Sequence, residues 1–399
     1  MRTSLLLVIV AAMLGCLPGS VQGAVFKCGP GDVACLIAAM EAANANGQSN
    51  TVYLARGTYS LLEPYSIDPP SFGVGLPPVT GNIAIVGAGP EATIIRASSP
   101  DPLTFFGLVE VEASGQLVLE RLSLRDGNAA FSAGAIWNRG TAAIHDVVLA
   151  GNVAFGPGAI INEGSMSIVD SDIRGNFTDL VGGGCCAIFN GGRMEILRSV
   201  VQGNGGVQAG VGAILNVDDL TITESVVTNN LSDNIGGIAN FAELKIVRSS
   251  ISNNLFPGIG FVFVASELAN LQGGRTIIEN TTIVTTFGGF RETPAIVFNE
   301  STLSLLNTTV TAFPEPTATT ASLLLSSIGG VTGVTSVQNS IIARPGSPGP
   351  VCGGTVTSLG HNIIGDPTGC TVTLLPSDKT GDPGFDAFAS LDFHGSLTA

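Results

Sequence analysis

The chain has 399 residues, a formal charge of −15, and is 45% hydrophobic but only 12% charged. An acidic chain repels nucleic acid and anionic lipid, which argues against both as partners. Its 53 glycines and few lysines and glutamates argue against long helices and for many tight turns.

The first residues, "MRTSLLLVIVAAMLGCLPGSVQGAVF", place one arginine before an apolar run that Pro18 and Gly19 interrupt. This reads as a secretory signal over residues 1–23, with cleavage before Ala24. Lipidation at Cys16 is the alternative. Cleavage takes the charge from −15 to −16 by removing Arg2, and leaves six cysteines of seven. No later stretch is apolar for long enough to span a bilayer, so the mature chain is expected to lack a transmembrane segment. A secreted or cell-surface location follows.

Residues 24–61 predict a cap. "DVACLIAAMEAANANG" is a short amphipathic helix with Asp32 at its N-cap and Gly47 at its end, and "TVYLARGTYSL" reads as first strands. A helix there would cover the open end of a stack of strands. The proline-rich stretch 62–81 reads as a surface loop.

Residues 62–343 are expected to form coils. Three columns repeat in step. Asn138, Asn162, Asn190, Asn216 and Asn240 are separated by 24, 28, 26 and 24 residues. Asn152, Asn176, Asn204, Asn230 and Asn254 keep the same steps, as do Ile144, Ile168, Ile196, Ile222 and Ile246. Each unit holds short β-like runs and no helix signal, so one unit makes one coil of three strands. Parallel crossovers are right-handed, and the fold class is therefore all-β: a right-handed parallel β-helix with a short N-terminal capping helix. Ile136 and its equivalents should stack inward, with an internal serine stack at Ser171, Ser199, Ser225 and Ser249. The two asparagine columns fit turns, bonding along the axis and tolerating left-handed backbone.

Irregular units continue to about residue 343, with longer insertions near residues 257–275 and 314–333. Residues 344–399 read as a C-terminal cap or tail. Cys28–Cys35 and Cys352–Cys370 are the local disulfide pairings, with free buried thiols as the alternative. Cys185 and Cys186 stand in columns of small or apolar residues and read as buried packing residues, a vicinal disulfide being the second option. No zinc cluster is legible around them.

The "GAI.N" and "GN" rungs after "GLVEVEASGQLVLERLSLRDGNAA" resemble exported bacterial pectin-lyase-like β-helix proteins and the repeats of polymorphic outer-membrane proteins. "SLGHNIIGDPTGC" with "TGDPGF" is similar to the end region of choice-of-anchor Q proteins. The reading is an exported, non-catalytic β-helix of the cell surface or extracellular space with an adhesive, structural or glycan-contacting role, whose partners are polysaccharide or host and cell-surface components. The resemblance also allows the alternative of a polysaccharide lyase or glycoside hydrolase. Lyases of this shape use calcium-binding carboxylates and an arginine base on one sheet, so calcium enters only under that alternative. No other cofactor and no metal site is expected.

The catalytic candidates are Asp146, Asp170, Asp172, Arg198, Glu224 and Arg248. All but Asp172 share one column, which reads first as a plain surface ion ladder, catalysis being the alternative. Trp137 is the candidate for stacking on a sugar, although packing under a loop is the first reading. His145, His361 and His394 stand alone in the pattern, and Asp218–Asp219 is an isolated acidic pair. Five Asn-x-Ser/Thr matches, at Asn176, Asn230, Asn280, Asn299 and Asn307, follow from the composition of the rungs and are not read as glycosylation sites.

Overall fold

Inward isoleucines, one per strand per coil, set the architecture. In the computed structural model Ile136, Ile160, Ile188, Ile214 and Ile238 are fully buried and in register on neighbouring strands, as are Ile168, Ile196 and Ile246 of the second column. Each such side chain contributes about 1.5–3 kcal/mol of burial. The structure describes residues 23–67, 73–101, 103–130, 132–178, 184–206, 209–254, 265–286, 295–313, 322–328, 331–345 and 349–384. Residues 1–22 with Cys16, His394, and residues 257–264, 314–321 and 329–330 of the two expected insertions lie outside those residues.

One regular coil shows how the chain closes. Ile136–Asn138 is a short strand, Arg139 and Gly140 turn the corner, and Thr141–Ala150 follows. That long strand bends at Asp146 and so supplies two faces. Each segment pairs in parallel with its equivalents one coil before and after, at roughly 4.8 Å. Among the described residues 34 strands form one continuous network. Pairing begins at Val25 and reaches Thr380, so it crosses both 61/62 and 343/344.

The helix Val33–Ala45 closes the N-terminal end. Asp32 caps it by accepting the Cys35 N–H, and Leu36, Ala39, Met40 and Ala43 pack onto the first coils. Disulfides join Cys28 to Cys35 and Cys352 to Cys370. Cys186 is fully buried and Cys185 partly so, in an apolar cluster outside the lumen of the coil, and their sulfurs are bonded to each other.

Both asparagine columns are hydrogen-bonded ladders. Each Nδ2 donates to the Oδ1 of the next coil: Asn138 to Asn162 at 2.7 Å, Asn162 to Asn190 at 2.8 Å, and on through Asn270 to Asn299 at 2.7 Å. The second column repeats this from Asn152 to Asn254. Asn176, Asn230 and Asn299 are thus sealed inside, unavailable for glycosylation. The serine stack is also present: the backbone N–H of Ser171 donates to Ser199 Oγ at 3.1 Å, and Ser199 to Ser225 likewise.

Two expectations are corrected. The asparagines do not take the left-handed backbone. The positive φ falls on the residue before the second column, at Gly151, Gly175, Gly203, Asn229 and Asn253, and on the charged column Arg121, Asp146, Asp170, Arg198, Glu224 and Arg248. The asparagine must instead point its amide down the axis. The stretch 62–81 is not all surface loop either. Val74, Leu76 and Val79 are buried, with Val74 bridging Gly107 and Val79 bridging Val111 as a first rung of the short-strand face.

Candidate functional site

The charged column forms a line of neighbouring corners. Arg198 binds Asp170 through Nε to Oδ1 at 2.7 Å and Nη2 to Oδ2 at 2.8 Å. His145 Nε2 lies 3.2 Å from the same Oδ2. Two coils on, Arg248 holds Glu224 Oε1 at 2.9 and 2.7 Å. Asp146 occupies the corner one coil before Asp170.

The Arg198 guanidinium holds the Asp170 carboxyl below its usual range, and Asp170 in turn pulls Arg198 further up. A base must shed its proton, and this pairing makes that harder for Arg198. The pairs are also exposed, with side-chain accessibilities of 38–55%, so their attraction is screened.

Asp172 stands apart, past the corner on the adjoining face. Its Oδ2 accepts from Arg174 at 2.6 Å and its Oδ1 from Gln202 at 3.2 Å. Arg174 also reaches Glu91, which binds Arg125 at 3.0 Å. Arg125 holds the Glu91 carboxyl low. This second ion network spans several coils and does not converge with Asp170.

Trp137 lies in a cluster that the sequence reading missed. It is half-buried on the outer face of the short-strand sheet, where its Nε1 donates to Glu163 Oε2 at 3.0 Å. The Arg139 guanidinium sits 4.8 Å from the ring centroid, a cation–π contact. Arg139 also binds Glu112 at 2.8 Å and the buried Glu110. A signal for this cluster was present. Glu112, Arg139 and Glu163 each follow the short strand directly, so they occupy one column, and Glu110 pairs with Trp137 itself. The ledge combines an indole, three carboxylates and a guanidinium.

Beyond it the same outward row turns apolar, as Ile161, Phe189, Leu215, Ala239, Ala269 and Phe298. Ala239, Ala269 and Phe298 are almost wholly buried, although they face away from the lumen.

Among the described residues no group of three or more His, Cys, Asp or Glu side chains is placed to hold a metal ion, and no helix is long and apolar enough to cross a membrane.

No family model matches the chain, and no curated protein does. Solved structures do. The A-module of mannuronan C-5 epimerase AlgE6 from Azotobacter vinelandii superposes with a TM-score of 0.55 at 16% identity, over 88% of this chain and 94% of that one. The Agl-KA catalytic domain gives a TM-score of 0.55 at 16% identity, over 91% of this chain and 68% of that one. At such identity the likeness speaks for architecture alone: the chain has the right-handed parallel β-helix fold of the pectin-lyase-like kind.

Proposed function

We propose that this is an exported β-helix protein that acts on a polysaccharide, as a lyase or glycoside hydrolase. The observation that carries the reading is the ledge of Trp137, Glu110, Glu112, Arg139 and Glu163. An aromatic face packs on sugar C–H groups, and paired carboxylates supply the acid and base of glycosidic chemistry. The epimerase module that shares the architecture is named for action on mannuronan, which supports a saccharide polymer as the partner. Three disulfides fit an oxidising compartment outside the cell. A neutral glycan meets no repulsion from the acidic chain, whereas an acidic one needs calcium to bridge it.

A second reading, adhesion or surface structure without catalysis, is favoured by a different observation. Arg198 and Arg248 are each held by a carboxylate, and the row beyond Trp137 offers no acid or base.

One experiment separates them. The purified protein is incubated with pectate, alginate and neutral glucans, with and without calcium. Unsaturated uronate absorbance and new reducing ends report cleavage. Fluorescence of Trp137, the one tryptophan of the chain, reports binding. Cleavage supports the enzyme, a fluorescence change without product supports adhesion, and silence in both on every glycan sinks the polysaccharide reading.

A further inference from the structure

The second asparagine ladder ends in an acid. Asn254 has no asparagine beneath it, since the register of Ser252 with Val284 puts Thr286 at that place. Glu267 takes over. Its Oε2 accepts from Asn254 Nδ2 at 2.6 Å, and its two oxygens accept from the Asn254 backbone N–H at 3.2 and 3.3 Å. The Thr285 hydroxyl and the Asn253 N–H also bond to it.

Glu267 stands where earlier coils place Ala159, Ala187, Ala213 and Gly237, just before the inward residue of the short strand. A long acidic side chain there fills the space that the missing asparagine would have occupied. It has no access to water.

None of the strands around it, Ile238–Asn240, Ser250–Ser252, Leu268–Asn270, Thr282–Thr286 and Ala295–Asn299, carries a charged or titratable residue. The charges of adjacent coils pair at the surface instead, Lys245 with Glu279 and Arg275 with Glu243. Burial, with no cation beside the group among the described residues, therefore dominates, and despite the hydrogen bonds it pushes the Glu267 carboxyl up to about 8.

We propose that Glu267 is a proton-operated end-stop: protonated, it carries the buried amide ladder across the coil where asparagine gives out, and ionised, it loosens the coils stacked on either side. In the protonated form the acid O–H donates to the Thr285 oxygen while the carboxyl still accepts from Asn254. In the ionised form a buried charge sits in an apolar stack where, among the described residues, neutral dipoles alone face it.

The native value lies above the ordinary one, so the stabilisation is complete below about 4.5 and is lost as the pH climbs toward about 8. Over that window the opening constant of these coils rises by up to about tenfold per pH unit.

The test is hydrogen exchange of Ser250–Ser252 and Ala295–Asn299 at pH 6, 7.5 and 9, corrected for intrinsic rates. It uses the whole chain, with Glu267→Gln and Glu267→Ala beside it. The wild type should lose protection as the pH rises. Glu267→Gln, which keeps the acceptor without the charge, should stay protected throughout, and Glu267→Ala should be poorly protected at every pH. A flat wild-type profile, or a Gln variant that follows the wild-type curve, overturns the proposal. Should the variants not fold, carboxyl-13C glutamate NMR of the wild type decides. A buried carboxyl titrating near pH 8 upholds the end-stop, and one titrating at the ordinary carboxyl value removes it.

Discussion

Arg198 grips Asp170 of the preceding coil with two nitrogens while both residues hold left-handed backbone, at φ 46° and 49°. The corner is set by backbone, not by charge. Left-handed φ costs an ordinary L-residue about 1–2 kcal/mol, whereas an exposed ion pair returns about 0–1 kcal/mol. The column can therefore hold arginine, acid or asparagine, provided that the bend is kept. Asn280, Asn307 and Asn339 continue it at φ near 50°.

That balance can be measured at Arg121, φ 55°, whose side chain donates a long 3.4 Å bond to the Ala88 carbonyl and forms no ion pair among the described residues. Arg121→Asn should stabilise the protein by up to about 1 kcal/mol, because asparagine enters the left-handed region more readily. The urea midpoint of unfolding is the readout; a lower midpoint would show that the arginine contributes more than its contacts indicate.

The buried ladders are far less tolerant. Asn176 accepts from both the backbone N–H and the Nδ2 of Asn152, at 3.1 and 2.9 Å. Asn176→Ala strands two buried donors, at about 1–3 kcal/mol each. A loss of about 3 kcal/mol or more is expected in chemical denaturation, against only about 1 kcal/mol for Asn307→Ala in the exposed corner column, where alanine enters the left-handed backbone less readily.

The N-terminal disulfide closes a short loop around the cap of the helix. Replacing Cys28 and Cys35 together with serine should cost about 2–3 kcal/mol, mostly through a freer unfolded chain. Earlier cleavage near residues 24–61 in limited proteolysis would accompany it, and unchanged cleavage kinetics would contradict it.

Acid should act on the other end. Burial would raise the Asp378 carboxyl, but bonds from Ser358, Asn362 and Leu375 outweigh it and hold the group low. A lowered native value means that stability is present above the ordinary carboxyl range and is lost as pH falls through the native value. Protection of Ile363–Ile364 and Lys379–Thr380 should decline in acid for the wild type. Asp378→Asn should weaken these strands at neutral pH and flatten that decline.

Much of this architecture was legible because a β-helix writes its geometry as identical spacing. Ile144 to Ile168 and Asn138 to Asn162 differ by the same 24 residues because one coil separates both pairs. The corner was misplaced because asparagine serves two purposes that composition does not separate: it enters left-handed backbone, and it bonds along a stack. Only the neighbours Gly151, Gly175 and Gly203 told which purpose applied at the second column. The ledge at Trp137 escaped notice because Glu112, Arg139 and Glu163 make a charged column only three coils tall. Glu267 could not be read at all, since it leaves the alanine column to fill a place in another.

The amides of each ladder all donate toward the C-terminal end, so every coil presents the same socket above and the same plug below. Excising residues 163–190 would bring Asn162 over Asn216, Asn152 over Asn204 and Ile144 over Ile196, re-forming each bond with a new partner. The molecule can thus change length by whole turns without a new core having to be invented, while an insertion of half a turn would misalign every column below it.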